Sequence, residues 1–221
     1  MSEAAASEFT PDELEAGRRL FASEWRFLSG AGSVESLPEM QGIEVAFAGR
    51  SNVGKSSLLN AITSRKALAR VSDTPGRTRE INFFARDGDL VLADLPGYGY
   101  ARAPRTKIRE WTGLVDAYLA GRANLVRVFV LIDARHGLKE ADTEILNLLG
   151  RAAVSHAIVL TKTDRLKAAE LEAGIADTAA AIARRAAAFP IVFATSSLTG
   201  AGLPELRAAI ARLAAERSGR D

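Results

Sequence analysis

The amino-acid sequence predicts an α/β protein with a mostly parallel six-stranded sheet, one antiparallel strand and helices on both faces. From residue 43 onward, short runs rich in β-branched and aromatic residues alternate with longer helix-forming stretches. Alternation of this kind is typical of a parallel sheet covered by helices. One connection departs from it, because Asp87-Gly88 separates two adjacent strand runs. A short Asp-Gly connection favours a hairpin, which would supply the one antiparallel strand.

The individual elements follow from composition and spacing. Strands are expected over 43–48, 81–84, 90–93, 126–132, 157–160 and 191–194, where apolar runs of strand length occur. Helices are expected over 55–64, 106–121, 139–152, 166–188 and 203–216. The fourth of these contains an alanine-rich tract, and alanine is the strongest helix former. We therefore predict one long helix there.

The N-terminal residues predict a helix and then a linker. Thr10 followed by Pro11, Asp12 and Glu13 is typical of a helix start, with a capping hydroxyl and acids in the first turn. The apolar residues after it fit one helical stripe only loosely; they are Leu14, Leu20, Phe21, Trp25 and Leu28. The small residues of 29–33 indicate a linker. The predicted division is an extension with one helix at 1–38, a single domain at 39–217 and a short tail at 218–221.

Composition excludes several classes of protein. The chain has 221 residues, 29 Lys and Arg against 27 Asp and Glu, and a formal net charge of +2. That balance argues against a polycation that coats nucleic acid. The absence of cysteine excludes disulfides, zinc–thiolate sites and thiol nucleophiles, and only two histidines are present. The acidic N-terminus and the lack of a long apolar run predict neither a signal peptide nor a membrane span, so a cytoplasmic location is expected.

The clearest chemical motif is G-x-x-x-x-G-K-S over residues 49–56. It follows a predicted strand and opens a predicted helix, the context that a phosphate-binding loop requires. Gly49 and Gly54 allow backbone N–H groups to approach a phosphate, and the helix N-terminus adds partial positive charge. Lys55 would reach the β- and γ-phosphates, and the Ser56 hydroxyl would bind Mg²⁺. The other residues assigned to this loop are Arg50, Ser51, Asn52, Val53 and Ser57.

A second motif, D-x-x-G, ends the third predicted strand at Asp94 and Gly97. A carboxylate in this place can hold Mg²⁺ through water, and the glycine N–H can meet the γ-phosphate. By itself D-x-x-G is a common turn. Its weight comes from its place at a strand end after the phosphate loop.

A third motif, T-K-x-D at Thr161, Lys162 and Asp164, predicts guanine recognition. The Asp164 carboxylate can accept from the N1–H and the 2-amino group of guanine, whereas adenine would leave it unpaired. The Lys162 stem can lie over the purine ring. Alternatively, Asp164 only caps a helix. After the last predicted strand, backbone N–H groups of Thr195, Ser196 and Ser197 could bind guanine O6.

These stretches together resemble the EngB family of ribosome-biogenesis GTPases, within the TrmE-Era-EngA-YihA-Septin-like class of P-loop GTPases. The resemblance covers roughly residues 40–215. It is carried by residues 44–58, by T-P-G-R-T at 74–78 with I-N-F-F at 81–84, and by D-L-P-G-Y-G-Y-A at 94–101. It implies a Ras-like fold that binds GTP or GDP and Mg²⁺. It also implies a partner, the large ribosomal subunit or its precursor with rRNA and ribosomal proteins, and a monomer that binds neither membrane nor DNA.

The same resemblance suggests a switch loop around Gly76. Thr78 would close on Mg²⁺ and the γ-phosphate in the GTP state, and Thr74 is the competing candidate. Catalysis would then rest on Lys55, Thr78, Gly97 and Asn52.

Two residues bear on the rate of hydrolysis. Tyr98 stands where many GTPases have a glutamine that orients the attacking water, so we hypothesise slow intrinsic hydrolysis. Asn52 either supports a K⁺ ion beside the phosphates, as in related GTPases, or only hydrogen-bonds backbone; both interpretations stay open. An arginine of the chain itself could instead supply this positive charge at the phosphates. Otherwise the arginines near the switches are ordinary solvated charges.

Three functional hypotheses remain. The first is a slow GTPase that acts as a nucleotide-dependent switch in assembly of the large ribosomal subunit. Basic residues cluster in 64–80 and 99–111, beside both switches, where an RNA contact could depend on nucleotide. The second is a nucleotide-gated binding module with negligible hydrolysis in another process, such as cell division or septation. The third, an ATPase or nucleoside kinase, is disfavoured by Lys162 and Asp164.

Overall fold

The computed structural model describes residues 8–65, 68–69, 80–86, 89–99 and 105–219, with the side chains of 105–112 and 218 left aside. Its strands are β1 (Arg26–Ala31), β2 (Ile43–Gly49), β3 (Ile81–Arg86), β4 (Leu90–Asp94), β5 (Leu125–Asp133), β6 (His156–Thr161) and β7 (Ala188–Ala194). Its helices are α1 (Pro11–Ala22), α2 (Lys55–Ile62), α3 (Arg105–Gly121), α4 (Glu140–Arg151), α5 (Ala168–Ile182) and α6 (Leu203–Ser218).

The strands form one sheet in the order β1-β3-β4-β2-β5-β6-β7. Strand β3 runs antiparallel to both of its neighbours, β1 and β4, and every other pairing is parallel. The predicted α/β class, with a mostly parallel sheet and a single antiparallel strand, is therefore confirmed.

The predicted number of six strands is wrong for the described chain, because β1 adds a seventh. Helix α1 ends at Ala22. Residues that we expected in the helix or in the linker after it form β1 instead. The edge of β3 presents unpaired backbone donors and acceptors. Hydrogen bonding to them stabilises a strand at residues whose composition is typical of a loop.

The N-terminal helix begins as predicted. Thr10 Oγ1 accepts from the Glu13 N–H at 3.3 Å, and the Glu13 carboxylate accepts from the Thr10 N–H at 2.8 Å. Helix α1 then packs closely on α6, since a Cβ at Gly17 would lie 2.6 Å from the backbone nitrogen of Ala208. The segment before residue 38 thus shares the core of the following domain, while the boundary itself stays a prediction.

The alanine-rich helix is shorter than predicted. Helix α5 ends at Ile182, and β7 already begins at Ala188. Alanine suits a helix locally, but residues 183–187 turn the chain toward β6, and Ala188 pairs there with His156 in the sheet. Long-range pairing overrides propensity here.

Helices cover both faces of the sheet, and each face has its own apolar cluster. One face carries α1, α2 and α6, with Phe47 stacked on Phe129 at 5.4 Å between ring centres. The other carries α3, α4 and α5 around Phe83 and Tyr118. Among the described helices, none is both long and apolar enough to cross a membrane.

A buried charged group lies at the start of β2. Glu44 is fully buried and accepts from Arg122 Nη2 at 2.6 Å and from the Tyr118 hydroxyl at 2.5 Å. Arg122 Nη1 also donates to the Pro38 carbonyl at 2.7 Å. These bonds fasten the segment that leads into β2 to the end of α3, at the edge of the sheet opposite the predicted motifs.

Candidate functional site

The phosphate-loop motif forms the turn between β2 and α2. Gly54 precedes the helix with φ of +102° and Asn52 has φ of +64°, two left-handed residues that curl the chain back toward the helix. Gly49 admits no side chain, because a Cβ there would lie 2.8 Å from Val53 Cγ1. The Val53 N–H donates to the Arg50 carbonyl at 3.2 Å and closes the turn.

The other assigned loop residues have different surroundings. The Arg50 side chain lies along Gly99, where an added Cβ would be 3.6 Å from its Nε. Ser56 lies half-buried in the first turn of α2, and Ser57 is exposed there. The Asn52 side chain is also exposed and has no hydrogen-bond partner within the described residues.

Lys55, the first residue of α2, forms an ion pair with Asp94, the last residue of β4. The ammonium donates to Asp94 Oδ1, and the two side chains are only 11% and 7% exposed. Lysine has three donors, of which the described residues engage one. The pair can therefore separate when a phosphate oxygen binds the ammonium and a cation binds the carboxylate.

The D-x-x-G segment is bound to the phosphate loop through its backbone. The Tyr98 N–H donates to the Gly49 carbonyl at 3.2 Å, and the Ser51 N–H donates to the Tyr98 carbonyl at 3.4 Å. Gly97 packs directly on Ser51, since a Cβ at Gly97 would lie 3.1 Å from Ser51 Oγ. The two motifs are thus in direct contact.

The Tyr98 side chain points away from this contact. Its buried hydroxyl donates to Asp142 Oδ1 in α4 at 2.8 Å. Burial, together with the Asp142 carboxylate, raises the pKa of Tyr98 far above its usual value, so the hydroxyl stays protonated. Asp142 also accepts from the Lys139 N–H at 2.9 Å and caps α4. Sequence reasoning missed Asp142, whose only signal was an acid in the first turn of a helix.

Thr161 and Lys162 join the guanine-type motif to the phosphate loop. Thr161 Oγ1 donates to the Val53 carbonyl at 2.7 Å, and Lys162 Nζ donates to the Asn52 carbonyl at 2.7 Å. The Lys162 stem crosses the loop at Gly54, where an added Cβ would lie 3.6 Å from its Cε. Lys162 Nζ also lies 2.9 Å from Asp133 Oδ2, a residue not among the predicted ones.

Asp164 lies in a 3-10 turn, Thr163–Arg165, and caps neither this turn nor α5, whose cap is Lys167. The alternative interpretation as a helix cap is therefore wrong. Its carboxylate accepts from the Ser196 hydroxyl at 2.6 Å, which fixes its orientation at the end of β6.

The segment after β7 offers fewer free donors than expected. The Thr195 N–H donates to the Leu160 carbonyl at 2.7 Å, and the Ser196 N–H donates to the Ala201 carbonyl at 3.0 Å. Of the three backbone N–H groups that we expected near guanine O6, Ser197 alone has no backbone acceptor within the described chain.

Several predicted residues fall outside the described ranges. Thr74, Gly76 and Thr78 lie there, as do most of the basic residues proposed for an RNA contact. In the ranges that are described, no group of three or more His, Cys, Asp or Glu residues could hold a metal alone. A Mg²⁺ ion here would need the mixed set of hydroxyl, carboxylate and phosphate that the motifs indicate.

Comparison with known proteins assigns the family. A family model described as "50S ribosome-binding GTPase" matches residues 44–162. "Probable GTP-binding protein EngB" of Bradyrhizobium diazoefficiens is 59% identical over 207 residues, which cover 93% of this chain and 95% of the relative. The protein of the same name from Rhodopseudomonas palustris is 57% identical, covering 96% of this chain and 99% of the relative.

Solved structures agree on the fold. A crystal structure of a probable GTP-binding protein EngB matches with a TM-score of 0.63 and 21% identity, covering 78% of this chain and 99% of that one. Era in complex with MgGDPNP and nucleotides 1506-1542 of 16S ribosomal RNA matches with a TM-score of 0.62 and 23% identity, covering 79% and 57%. The chain belongs to the EngB family of GTP-binding proteins and is a GTPase that binds guanine nucleotide.

Proposed function

We propose that this GTPase is a slowly hydrolysing, Mg²⁺-dependent switch in assembly of the large ribosomal subunit in the cytoplasm. The observation that carries the nucleotide part is the convergence of three motifs at one edge of the sheet. The phosphate loop, Asp94 and the Asp164–Ser196 pair all follow the carboxyl ends of parallel strands. Ligands of α/β proteins bind at this edge.

At the phosphate end, Lys55 and Asp94 are bonded to each other, and a phosphate and a cation could replace these partners. Lys55 would leave Asp94 for phosphate oxygens, and backbone N–H groups of residues 50–57 would surround the phosphates. Ser56, Asp94 and Thr78 would hold Mg²⁺, a cation that prefers a few oxygen ligands together with phosphate. The cation would supply positive charge where the phosphate oxygens gain negative charge.

At the base end, Asp164 is the proposed guanine-reading residue. Its carboxylate is oriented by Ser196 and can accept from two adjacent donors of guanine, which adenine lacks. The free Ser197 N–H is the proposed donor to guanine O6. Thr161, whose hydroxyl is bonded to Val53, would hold the base-reading turn against the phosphate loop.

Slow intrinsic hydrolysis follows from the surroundings of Tyr98. Its hydroxyl is engaged by Asp142, and tyrosine has no amide to orient a water molecule. The exposed Asn52 side chain, which lacks a hydrogen-bond partner in the described chain, favours the K⁺ hypothesis over backbone bonding. Turnover in KCl and in NaCl tests this; equal rates would remove K⁺ from the mechanism.

The ribosomal role is supported by relatives. The matching family model is described as ribosome-binding, and Era, a fold relative, was crystallised with ribosomal RNA. We propose the large subunit or its precursor as the partner, contacted through the basic segments beside the switches.

Co-sedimentation with large-subunit particles tests the ribosomal part. The chain is expected in the particle fraction with a non-hydrolysable GTP analogue and largely in the supernatant with GDP. An Asp164→Asn variant provides the control, because it should bind particles with the xanthosine analogue but not with the GTP analogue. Equal sedimentation of the wild type in both nucleotides would contradict a nucleotide-dependent switch.

A gated module with negligible hydrolysis is the second candidate, favoured by the engaged Tyr98 hydroxyl. Single-turnover hydrolysis with and without large-subunit particles separates the two. Stimulation by particles supports the first proposal, and no detectable turnover in either condition supports the second.

A further inference from the structure

Lys162 is held at two points, and only one of them belongs to a recognised motif. Its ammonium donates to the Asn52 carbonyl of the phosphate loop at 2.7 Å. The second partner is Asp133 Oδ2 at 2.9 Å. Asp133 is the last residue of β5 and lies in register with Thr161 on β6, so strand pairing places it beside the residue that precedes Lys162.

The Asp133 carboxylate is well defined by its neighbours. It accepts from Arg135 Nη2 at 2.7 Å and Nε at 2.9 Å, and from the Arg135 N–H at 3.1 Å. Burial tends to raise the pKa of Asp133, but the hydrogen bonds from Arg135 and Lys162 outweigh it and hold the pKa well below its usual value. Asp133 is therefore a permanent anion beside the Lys162 ammonium at neutral pH.

The consequence for Lys162 is a fixed side chain on an unfavourable backbone. The residue has φ of +59°, a left-handed conformation that lysine adopts rarely. Its stem is drawn across the loop at Gly54, between the phosphate loop and the turn that carries Asp164. A free lysine side chain would lose rotamer entropy when a ligand ordered it, and here that loss has already occurred on folding.

We propose that Asp133 is a positioning residue for guanine-nucleotide binding. By holding the Lys162 ammonium, it preorganises the lysine stem as an apolar surface for the purine. This inference rests on the proposed function, in which Asp164 reads the base of the bound nucleotide. Asp133 acts through Lys162 and contacts no reacting atom.

Arg135 provides the matched control. It shares the Asp133 carboxylate, its side chain is 40% exposed, and its side-chain hydrogen bonds within the described ranges go to Asp133 alone. The Asp164 carboxylate makes only the smallest of the contributions that raise the pKa of Arg135, after the hydrogen bond and the charge of Asp133. Arg135→Gln removes its side-chain bonds to Asp133 and leaves the contact with Lys162 in place. Asp133→Asn removes the charge with little change of volume.

The experiment is a double-mutant cycle on GDP binding to the full chain, with affinity and dissociation rate measured by a fluorescent GDP analogue. Asp133→Asn is expected to weaken GDP binding about tenfold, mainly through faster dissociation, because the ion pair that holds Lys162 becomes an ammonium–amide hydrogen bond with no opposite charge. In a Lys162→Met background the same substitution should change affinity less than about twofold. Arg135→Gln should stay within about twofold of the wild type, and Asp133→Glu should recover part of the affinity.

Two results overturn the inference: wild-type affinity in Asp133→Asn, or an equal loss with and without Lys162, which marks a merely structural role. Thermal unfolding of each variant identifies a folding defect, and Asp133→Glu carries the cycle if Asp133→Asn fails to fold. Asp164→Asn distinguishes failure of the proposed guanine site from failure of the positioning role of Asp133. If it binds GDP normally, the proposed guanine site itself fails; if it loses GDP while Asp133→Asn does not, the positioning role alone fails.

Discussion

One ion pair lies at the start of strand β2 and another lies beyond its end, across the phosphate loop, and the two pairs differ in how many of their donors and acceptors are satisfied. Near the start, Glu44 receives bonds from Arg122 and Tyr118, and neither member of the ion pair is more than 5% exposed. Beyond the phosphate loop that follows the strand, Lys55 and Asp94 bond to each other and form no hydrogen bond or ion pair with another side chain of the described residues. The first pair is a closed network, and the second retains unused donors and acceptors.

This difference separates a structural role from a ligand-binding one. A buried charge is tolerated when its remaining donors and acceptors are satisfied, and removing one partner is then costly. A pair with unused hydrogen-bonding capacity can exchange partners with a phosphate or a cation. Substitutions in the two regions test this contrast.

Arg122→Met should destabilise the fold by about 3–5 kcal/mol, because it leaves the Glu44 carboxylate buried without its charged partner. Urea unfolding measures the loss, and GDP affinity of the folded fraction should not change. Arg18→Gln breaks an exposed ion pair with Glu15 and serves as the control, with no measurable change expected. A loss in Arg122→Met no larger than in this control would contradict the closed-network interpretation.

Asp164→Asn should lower GDP affinity about 100-fold, or about 2.7 kcal/mol, since two charge-assisted hydrogen bonds are lost. Affinity for xanthosine diphosphate should rise, because the asparagine amide can donate to the carbonyl that replaces the 2-amino group. Competition binding with both nucleotides gives the ratio. Unfolding stability should stay near that of the wild type, and an unchanged preference for GDP would exclude Asp164 as the base-reading residue.

Tyr98 lies beside the phosphate loop, but its buried hydroxyl bonds to Asp142, so Tyr98→Phe tests a structural contact near the candidate site. We expect a loss of about 1–2 kcal/mol in unfolding free energy, because Asp142 Oδ1 is left without its buried donor. GTP turnover should stay within about twofold, since the hydroxyl points into the protein. A large fall in turnover without a stability loss would assign the hydroxyl to catalysis instead.

The smallest expected effect is a pH dependence of stability from His156, which begins β6 at the end of the sheet opposite the motifs. Burial lowers the pKa of His156 below 6.5, and its Nε2 has no partner in the described chain. Because the unfolded chain then takes up the proton first, stability should be full above about pH 6.5 and fall as pH drops below it.

Urea midpoints at about pH 7.5 and about pH 5.5 measure this slope. His156→Gln should flatten it, whatever its own effect on stability. His136→Gln, at an exposed loop residue, should leave the slope unchanged. An equal slope in all three proteins would assign the acid sensitivity to other groups.

Local patterns predicted most of the elements and misplaced two segments. Six of the seven strands, β2 to β7, follow from apolar runs, although β7 begins earlier than expected. Segment β1 could not be predicted, because Arg26–Ala31 has a loop-like composition and pairs with a partner about 55 residues away. The alanine tract was misjudged for the same reason, since its last residue pairs with β6.

For the candidate site, the linear pattern predicts the chemistry: a lysine and glycines for phosphate, an aspartate for guanine, and no cysteine for thiol reactions. These depend on residue type at short spacing, which a linear pattern preserves. The side-chain partners, in contrast, depend on the three-dimensional fold. Each partner comes from another part of the chain: Asp142 bonds to Tyr98, Ser196 to Asp164 and Asp133 to Lys162. Such pairs depend on strand order and register, which arise from packing across the whole sheet and leave no local trace in the sequence.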